Sequence, residues 1–454
     1  MTALVDDLGR LIGREYVREG AGAYGHDATE MRGVSGSADA VVLPGSAEEV
    51  AALVAWCYER DLPIVPRGGG TGFAGGAVPL GDGVVLALDR LRAVRALEPE
   101  LWRMHVEAGL TTRHVQRVAR EGGVWFPPDP GAAEQSQIGG NIATNAGGPH
   151  AFKYGVTGSW VTGLEAVIAP GELIAVGGPL RKDVAGYDLR GLLVGSEGTL
   201  GIVTAAWLRL IPAPEAQLPI AACYAGVAEG CRAVETVLAS GVVPAVLEFL
   251  DGPALAAAGR SFPATLPGSA AFMVIAEADG SRQQASADAA ELMRALEPGA
   301  VALHAPTQPA DTAALWRWRE GVSLAVAAVR GGKLSEDIVV PVDRLAEAIE
   351  GVAAIAAAHG LDSCSWGHAG DGNLHATFMV ARDRDAFERA EAACQELFAL
   401  ALRLGGSISG EHGVGLVKSG QLRHQWPPAA VEAHRRLKLA LDPKGLFNPG
   451  KKQA

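Results

Sequence analysis

His368 and His375 stand on either side of Asp371–Gly372 in SWGHAGDGNLHATF (Ser365–Phe378). An Asp-Gly pair favours a two-residue hairpin turn, whose backbone needs positive φ. Such a turn puts residue 368 directly opposite 375 on one face, with Cβ atoms roughly 4.5–5.5 Å apart, close enough for two imidazoles to share a cation. Two histidines alone describe an ordinary hairpin mouth equally well. SISGEHGVG (Ser407–Gly415) adds a carboxylate and a further imidazole, Glu411 and His412. Two histidines and a carboxylate form a common donor set for zinc, manganese or iron(II), so a divalent metal site is expected here.

A second kind of chemistry lies in ALWRWREGVSLAVAA, where Arg317 and Arg319 interrupt an apolar helix beside Trp316 and Trp318. The bland reading is a solvated basic face. The flanking tryptophans argue for partial burial instead, and a partly buried arginine calls for a carboxylate. A third kind lies in glycine. Ser136–Gly155 (SQIGGNIATNAGGPHAFKYG) is too rich in glycine to be packed core and reads as a backbone-lined surface whose N–H groups could hold an anion such as a diphosphate. Pro66–Pro79 (PRGGGTGFAGGAVP) contains GxGxxG at Gly70, Gly72 and Gly75. Pro79, Gly81 and Gly83 stop the helix that a dinucleotide fingerprint must open, so it is a glycine-rich turn at a strand end with Arg67 as a phosphate partner. Lys182–Thr204 is a third such segment, and three together imply one large ligand.

Composition narrows the partners. The net charge is −12 over 454 residues, which argues against nucleic acid or an anionic membrane and requires local cations for any anionic substrate. The five scattered cysteines never form CxxC, which suits a reducing compartment and excludes an iron–sulfur cluster on this chain. MTALVDDLGRLIGREYVREG lacks the apolar core of a signal peptide, and no 18-residue apolar run occurs, so a cytoplasmic location is expected.

The elements that must position these groups follow in order. Val41–Leu43, Leu62–Val65 and Val84–Leu88 read as strands, with a helix opened by Ser46 and Glu49, a capping box, between the first two. Thr111–Glu121 is a helix; Leu164–Ile168 and Leu173–Val176 form a hairpin around Pro170–Gly171; Ile202–Leu210 is a strand. The proline-rich run Ile211–Pro219 marks a domain boundary. Beyond it, strand, helix, strand, strand, helix, strand over Ile220–His304 is a split βαβ order. Helices follow at Ala313–Val329, Arg344–Ala358 and Ala429–Leu441.

PRGGGTG, IGGNIATNAGG with KYG, GSEGTLGIVT, HAGDGNLH, SGEHGVG and DPKGLFNPGK occur in that order. Over nearly the whole chain this resembles the FAD-linked oxidases of the vanillyl-alcohol oxidase (PCMH-type flavin) superfamily. The branch is that of the D-2-hydroxyacid dehydrogenases: glycolate oxidase flavoprotein subunits, D-lactate dehydrogenases and D-2-hydroxyglutarate dehydrogenases. The resemblance implies an α+β protein with a two-lobed PCMH-type FAD-binding domain over residues 1–212. It also implies an α+β cap with an antiparallel sheet over 213–411 and a segment, 412–454, returning to the FAD domain. It implies that Arg67, Gly68, Gly69, Gly70, Thr71 and Gly72 bind the diphosphate. Ile138, Gly139, Gly140, Asn141, Asn145, Glu197, Gly201 and Ile202 would line the rest of the flavin, with Asn448 near its ring. His368, His375 and Glu411 would hold zinc or manganese, His412 would be the general base, and Arg319 with Ser323 would clamp the substrate carboxylate.

Three departures refine this. Covalent members carry a histidine near the position of Gly70, so non-covalent FAD is expected. The family's lysine before the Asp337–Pro341 strand is matched by Ser335, with Lys333 two positions away, and Thr377 replaces an asparagine of the 2-hydroxyglutarate enzymes. Both favour a small acid such as D-lactate or glycolate over D-2-hydroxyglutarate. The rival readings are a D-2-hydroxyglutarate dehydrogenase, a flavin subunit of a multi-subunit glycolate oxidase, an oxidase of another alcohol class, such as sugars, and a non-catalytic FAD-carrying subunit of a larger dehydrogenase. The expected partners are a 2-hydroxy acid, an unidentified electron acceptor (quinone, electron-transfer flavoprotein, cytochrome or iron–sulfur protein, or else oxygen) and a second copy in a homodimer; peripheral membrane association stays open.

Overall fold

The computed structural model describes residues 2–454, and the chain forms two compact units. One comprises the residues up to Gly147 with Gly155–Ala213 and Glu411–Ala454; the other comprises Gly148–Tyr154 and Pro214–Gly410.

In the first unit Ala40–Val42, Val84–Ala87 and Ile64–Arg67 pair in parallel, with Val17–Glu19 antiparallel at one edge. These short apolar runs are buried on both faces, as parallel strands require. The helix Ala47–Glu59 links the first and last of the parallel strands; Ser46 caps it by accepting the Glu49 N–H at 3.2 Å, and Val50, Leu53, Val54 and Cys57 are buried. A second, antiparallel sheet has the order Val94–Glu98, Arg103–Glu107, Ile202–Arg209, Val161–Ile168, Glu172–Gly177. Ile202–Arg209 thus inserts at its centre, and the turn ahead of it folds onto the glycine-rich stretch through Gly195 N–H to Ile142 O at 2.9 Å and Glu197 N–H to Ala143 O at 2.7 Å.

That glycine-rich stretch is not the open backbone surface its composition suggests. It contains two short helices, Ile138–Thr144 and Ala151–Tyr154. Glycine serves packing in the first, since a Cβ on Gly139 would lie 2.7 Å from Ala108 Cβ, and Asn145 ends it in the left-handed region at φ 54°. The proline-rich connection is also more regular than expected. Ile211–Pro212 pairs with Val124–Trp125, and Ala216–Tyr224 is a full strand. Pro219 is tolerated because Ala302–His304, the neighbour on its other side, pairs only with Ala221–Cys223.

The second unit is built on a seven-stranded antiparallel sheet in the order Ala302–His304, Ala216–Tyr224, Phe272–Gly280, Val246–Asp251, Asp362–His368, Asn373–Val380, Gly332–Val339. The first four are the split βαβ set, with the helices Val227–Ala239 and Arg282–Leu296 as crossovers; the last three extend it. The helix Pro309–Arg330 buries Leu315, Trp318, Arg319, Val322 and Val326, a stripe at helical spacing that packs with Leu250, Ile275 and Trp366. Arg319 lies on that stripe and is buried, whereas Arg317 lies off it and is exposed, against the expectation that both are partly covered.

The hairpin register also differs from expectation. His368 pairs with Asn373, and His375 with Trp366. The connection is a 3-10 turn over Ala369–Asp371 followed by Gly372 at φ 67°, the only left-handed residue of the turn, so the tight two-residue form does not arise. Gly372 is required there, because a Cβ would sit 1.9 Å from Val340 O. The slip is two residues, an even number, so both histidines keep the same face.

Candidate active site

In the first unit, Arg67 ends its strand buried, with Nη1 donating to His26 O at 2.6 Å. Gly68–Gly72 follow, and a Cβ on Gly68 would lie 3.4 Å from Gly140 Cα, so the 66–79 turn and the 138–144 helix face each other glycine to glycine. Gly70 sits at φ 67°, with the Arg67 guanidinium 2.1 Å from where its Cβ would be. Gly69 is also a packing glycine, its Cβ position 2.1 Å from Gln135 O. Gly76 and Gly140 instead open on empty space, Gly72 has nothing nearer than 3.9 Å, and the buried Gln137 Oε1 has no hydrogen-bond partner among the described residues. A cleft lined by backbone, with a guanidinium at its edge and a waiting acceptor, fits a dinucleotide cofactor. Thr71 is half-buried in the same turn; Ile138, Asn141 and Ile202 are buried, and Gly201 abuts Val167 O.

Asn145, Glu197 and Asn448 all take the left-handed conformation, which a non-glycine residue adopts only when its surroundings enforce it. The Glu197 carboxylate accepts the Val414 and Gly415 N–H groups at 2.9 and 2.6 Å and pairs with Lys452 Nζ at 2.9 Å. Asn448 Nδ2 donates to Glu197 O and Gly76 O, and Lys451 Nζ to Asn448 Oδ1 at 2.7 Å. Glu197 therefore spends its carboxylate fastening the last segment of the chain, while its own N–H donates to Ala143 O and its C=O accepts from Asn448 Nδ2. Glu411 Oε2 lies 2.6 Å from the Cβ position of Gly147, and the His412 ring rests on Phe73 with centroids 4.8 Å apart.

In the second unit, one face of the sheet gathers the remaining groups. The His368 and His375 rings meet edge to face with centroids 5.3 Å apart. Across the sheet from His368 stands Glu248, on Val246–Asp251, fully buried. One carboxylate oxygen bonds His368 Nδ1 and the other bonds Arg319 Nη2. Burial alone would raise the Glu248 pKa, but Arg319 and His368 outweigh it and hold the group below the ordinary carboxylate value. Arg319 Nε is buried without a partner among the described residues. Opposite His375 lies Asp337, which accepts from Asn373 Nδ2, from Ser409 Oγ at 2.9 Å and from the Gly410 N–H at 2.7 Å. Gly410 directly precedes Glu411.

Along the same strand, Ser335 pairs with Thr377, hydroxyl to hydroxyl at 2.8 Å, so the two departures from the family pattern satisfy each other. Lys333, on the same side of that strand, puts Nζ 2.5 Å from Ser323 Oγ and 5.0 Å above the Trp366 ring. Burial pulls its pKa down to about 8. The sequence singled out neither Glu248 nor Asp337 as a site residue. A lone acid inside the apolar strand AVLEFL is the one local sign that Glu248 is unusual, and it does not say with what the acid pairs.

A turn-lined cleft for a dinucleotide and a sheet face bearing histidines, carboxylates and cations define a two-domain redox flavoprotein. A family model described as FAD binding domain matches residues 38–177, and one described as FAD linked oxidases, C-terminal domain, matches residues 213–452. The chain belongs to the FAD-linked oxidase family. It is 38% identical over 430 residues to the glycolate oxidase subunit GlcD of Bacillus subtilis, covering 94% of this chain and 91% of that protein. It is 34% identical over 459 residues to the D-lactate dehydrogenase of Archaeoglobus fulgidus, covering 98% of each. The fold matches that of p-cresol methylhydroxylase with substrate bound (TM-score 0.82, 18% identity, 99% of this chain and 96% of that one). It also matches 4-ethylphenol oxidase from Gulosibacter chungangensis (TM-score 0.81, 22% identity, 100% and 97%). The protein is an FAD-dependent oxidoreductase of the D-2-hydroxyacid branch, with the α+β, PCMH-type fold. Among the described residues no helix is long and apolar enough to cross a membrane.

Proposed function

We propose that the enzyme oxidises a small D-2-hydroxy acid, of the D-lactate or glycolate type, to the 2-oxo acid, using non-covalent FAD and one divalent ion, zinc or manganese. Bound FAD would take up hydride, and a bound divalent ion would acidify the substrate hydroxyl. His368 and His375 would hold the ion together with Glu411, which the Gly410–Asp337 bond ties to this strand by a single peptide link. His412 would accept the hydroxyl proton. Arg67 and Gly68–Gly72 would cradle the diphosphate, with Ile138–Asn141, Asn145, Glu197, Asn448 and the Gly201–Ile202 backbone along the rest of the flavin.

The observation that carries the choice of substrate is the division of charge on the sheet face. Arg319 is already matched by Glu248, while among the described residues Lys333 has a hydroxyl partner and no carboxylate to offset it. Arg319 Nε and Lys333 Nζ with Ser323 would hold one carboxylate; a second would bring a buried charge without its own cation, at a cost of several kcal/mol. The acid is therefore a monocarboxylate. The electron acceptor we infer is a separate redox protein or quinone, in keeping with the name of the B. subtilis relative, a subunit.

His375→Ala tests the metal arm. The variant should keep its full complement of FAD, lose the ion by elemental analysis and lose reduction by the acid while dithionite still bleaches the flavin. A fully active wild type without metal contradicts the reading.

A further inference from the structure

Resting on the metal reading above, we infer that Glu248 is a positioning residue that sets His368 and Arg319 for the reaction through its two carboxylate oxygens. It stands directly across the sheet from His368, is wholly shielded from water, and bonds His368 Nδ1 with one oxygen and Arg319 Nη2 with the other. A carboxylate at Nδ1 fixes the imidazole with its proton there, which leaves Nε2 unprotonated as the ligand atom and makes it more basic. The same carboxylate fixes the guanidinium plane. Arg319 Nε then stays buried without a partner among the described residues, on a side chain that is only 11% exposed, a donor held ready for an incoming acceptor. One residue thus aligns the group proposed to bind the ion and the group proposed to bind the substrate carboxylate.

Both neighbours present N–H to Glu248, so the substitution that separates this role from filling space is Glu248→Gln. The amide has one oxygen and one NH₂ group in the same volume; it can accept from His368 or from Arg319, and it confronts the other donor with a donor. Measured on the FAD-loaded protein by competition with a chromogenic chelator, zinc should bind the variant ten-fold or more weakly than wild type, the range seen when such outer partners are lost. At saturating zinc, the KM for D-lactate should rise more than kcat falls, and the flavin content should match wild type. Equal zinc affinity in wild type and FAD-loaded variant overturns this inference alone. A wild type that binds no zinc overturns the metal reading and this inference with it. Should the variant not fold, ¹⁵N-histidine spectra of the metal-free wild-type holoenzyme decide: the His368 ring protonated at Nδ1 supports the assignment, and protonation at Nε2 alone overturns it.

Discussion

Lys333 Nζ lies 2.5 Å from Ser323 Oγ, which joins the strand Gly332–Val339 to the helix that carries Arg319. The groups facing this ammonium are the Ser323 hydroxyl, the Trp366 ring and the Cys364 thiol, whose pKa burial raises so that it stays neutral. With its own pKa lowered to about 8, Lys333 loses its proton far below the usual lysine range as pH rises. An ammonium that binds a carboxylate must be charged, so kcat/KM for the acid should fall as pH rises through about 8. Lys333→Met should abolish that limb and raise KM about ten-fold or more, the loss of one charge-assisted hydrogen bond. A pH profile on both proteins checks it; an unchanged alkaline limb in the variant assigns the titration elsewhere.

The Gly70 position predicts how the flavin is held. A side chain there meets both a left-handed backbone and the Arg67 guanidinium. A linking histidine does not fit, so acid precipitation should release all the FAD into the supernatant. Gly70→Ala, which costs about 1–2 kcal/mol in backbone strain and displaces Arg67, should weaken FAD binding roughly ten-fold. Fluorescence titration of the apoprotein measures it.

Glu197 predicts a stability effect at a distance from chemistry. Its buried carboxylate holds two backbone N–H groups and Lys452. Glu197→Ala orphans these donors at a cost of about 2–4 kcal/mol, which at about 2 °C per kcal/mol for a unit of this size should lower its Tm by about 4–8 °C. Calorimetry of both proteins with FAD in excess separates this from cofactor loss. A Tm within about 2 °C of wild type contradicts the clasp.

Local patterns made much of this legible. Alternating strand and helix signals yielded the split βαβ order, and glycine spacing located the cleft, because both depend on neighbours in sequence. The errors came where distant segments meet. The hairpin turn follows Val340, not only Asp371–Gly372, so the register shifts by two residues while the face survives. Glu248 acquires its role through pairing with a strand 120 residues later, which no local pattern encodes. Arg317 and Arg319 look alike in sequence, and the stripe Leu315, Trp318, Val322, Val326 separates them only once the helix is placed on the sheet.

The central claim is oxidation of a short D-2-hydroxy acid. Anaerobic stopped-flow bleaching of the bound flavin, with D-lactate, glycolate, L-lactate and D-2-hydroxyglutarate in turn, tests it most directly. The account predicts rapid bleaching by D-lactate or glycolate, none by L-lactate, and a kcat/KM for D-2-hydroxyglutarate lower by about ten-fold or more, since a second carboxylate lacks its own cation. A clear preference for D-2-hydroxyglutarate, or equal reduction by both lactate enantiomers, would contradict it.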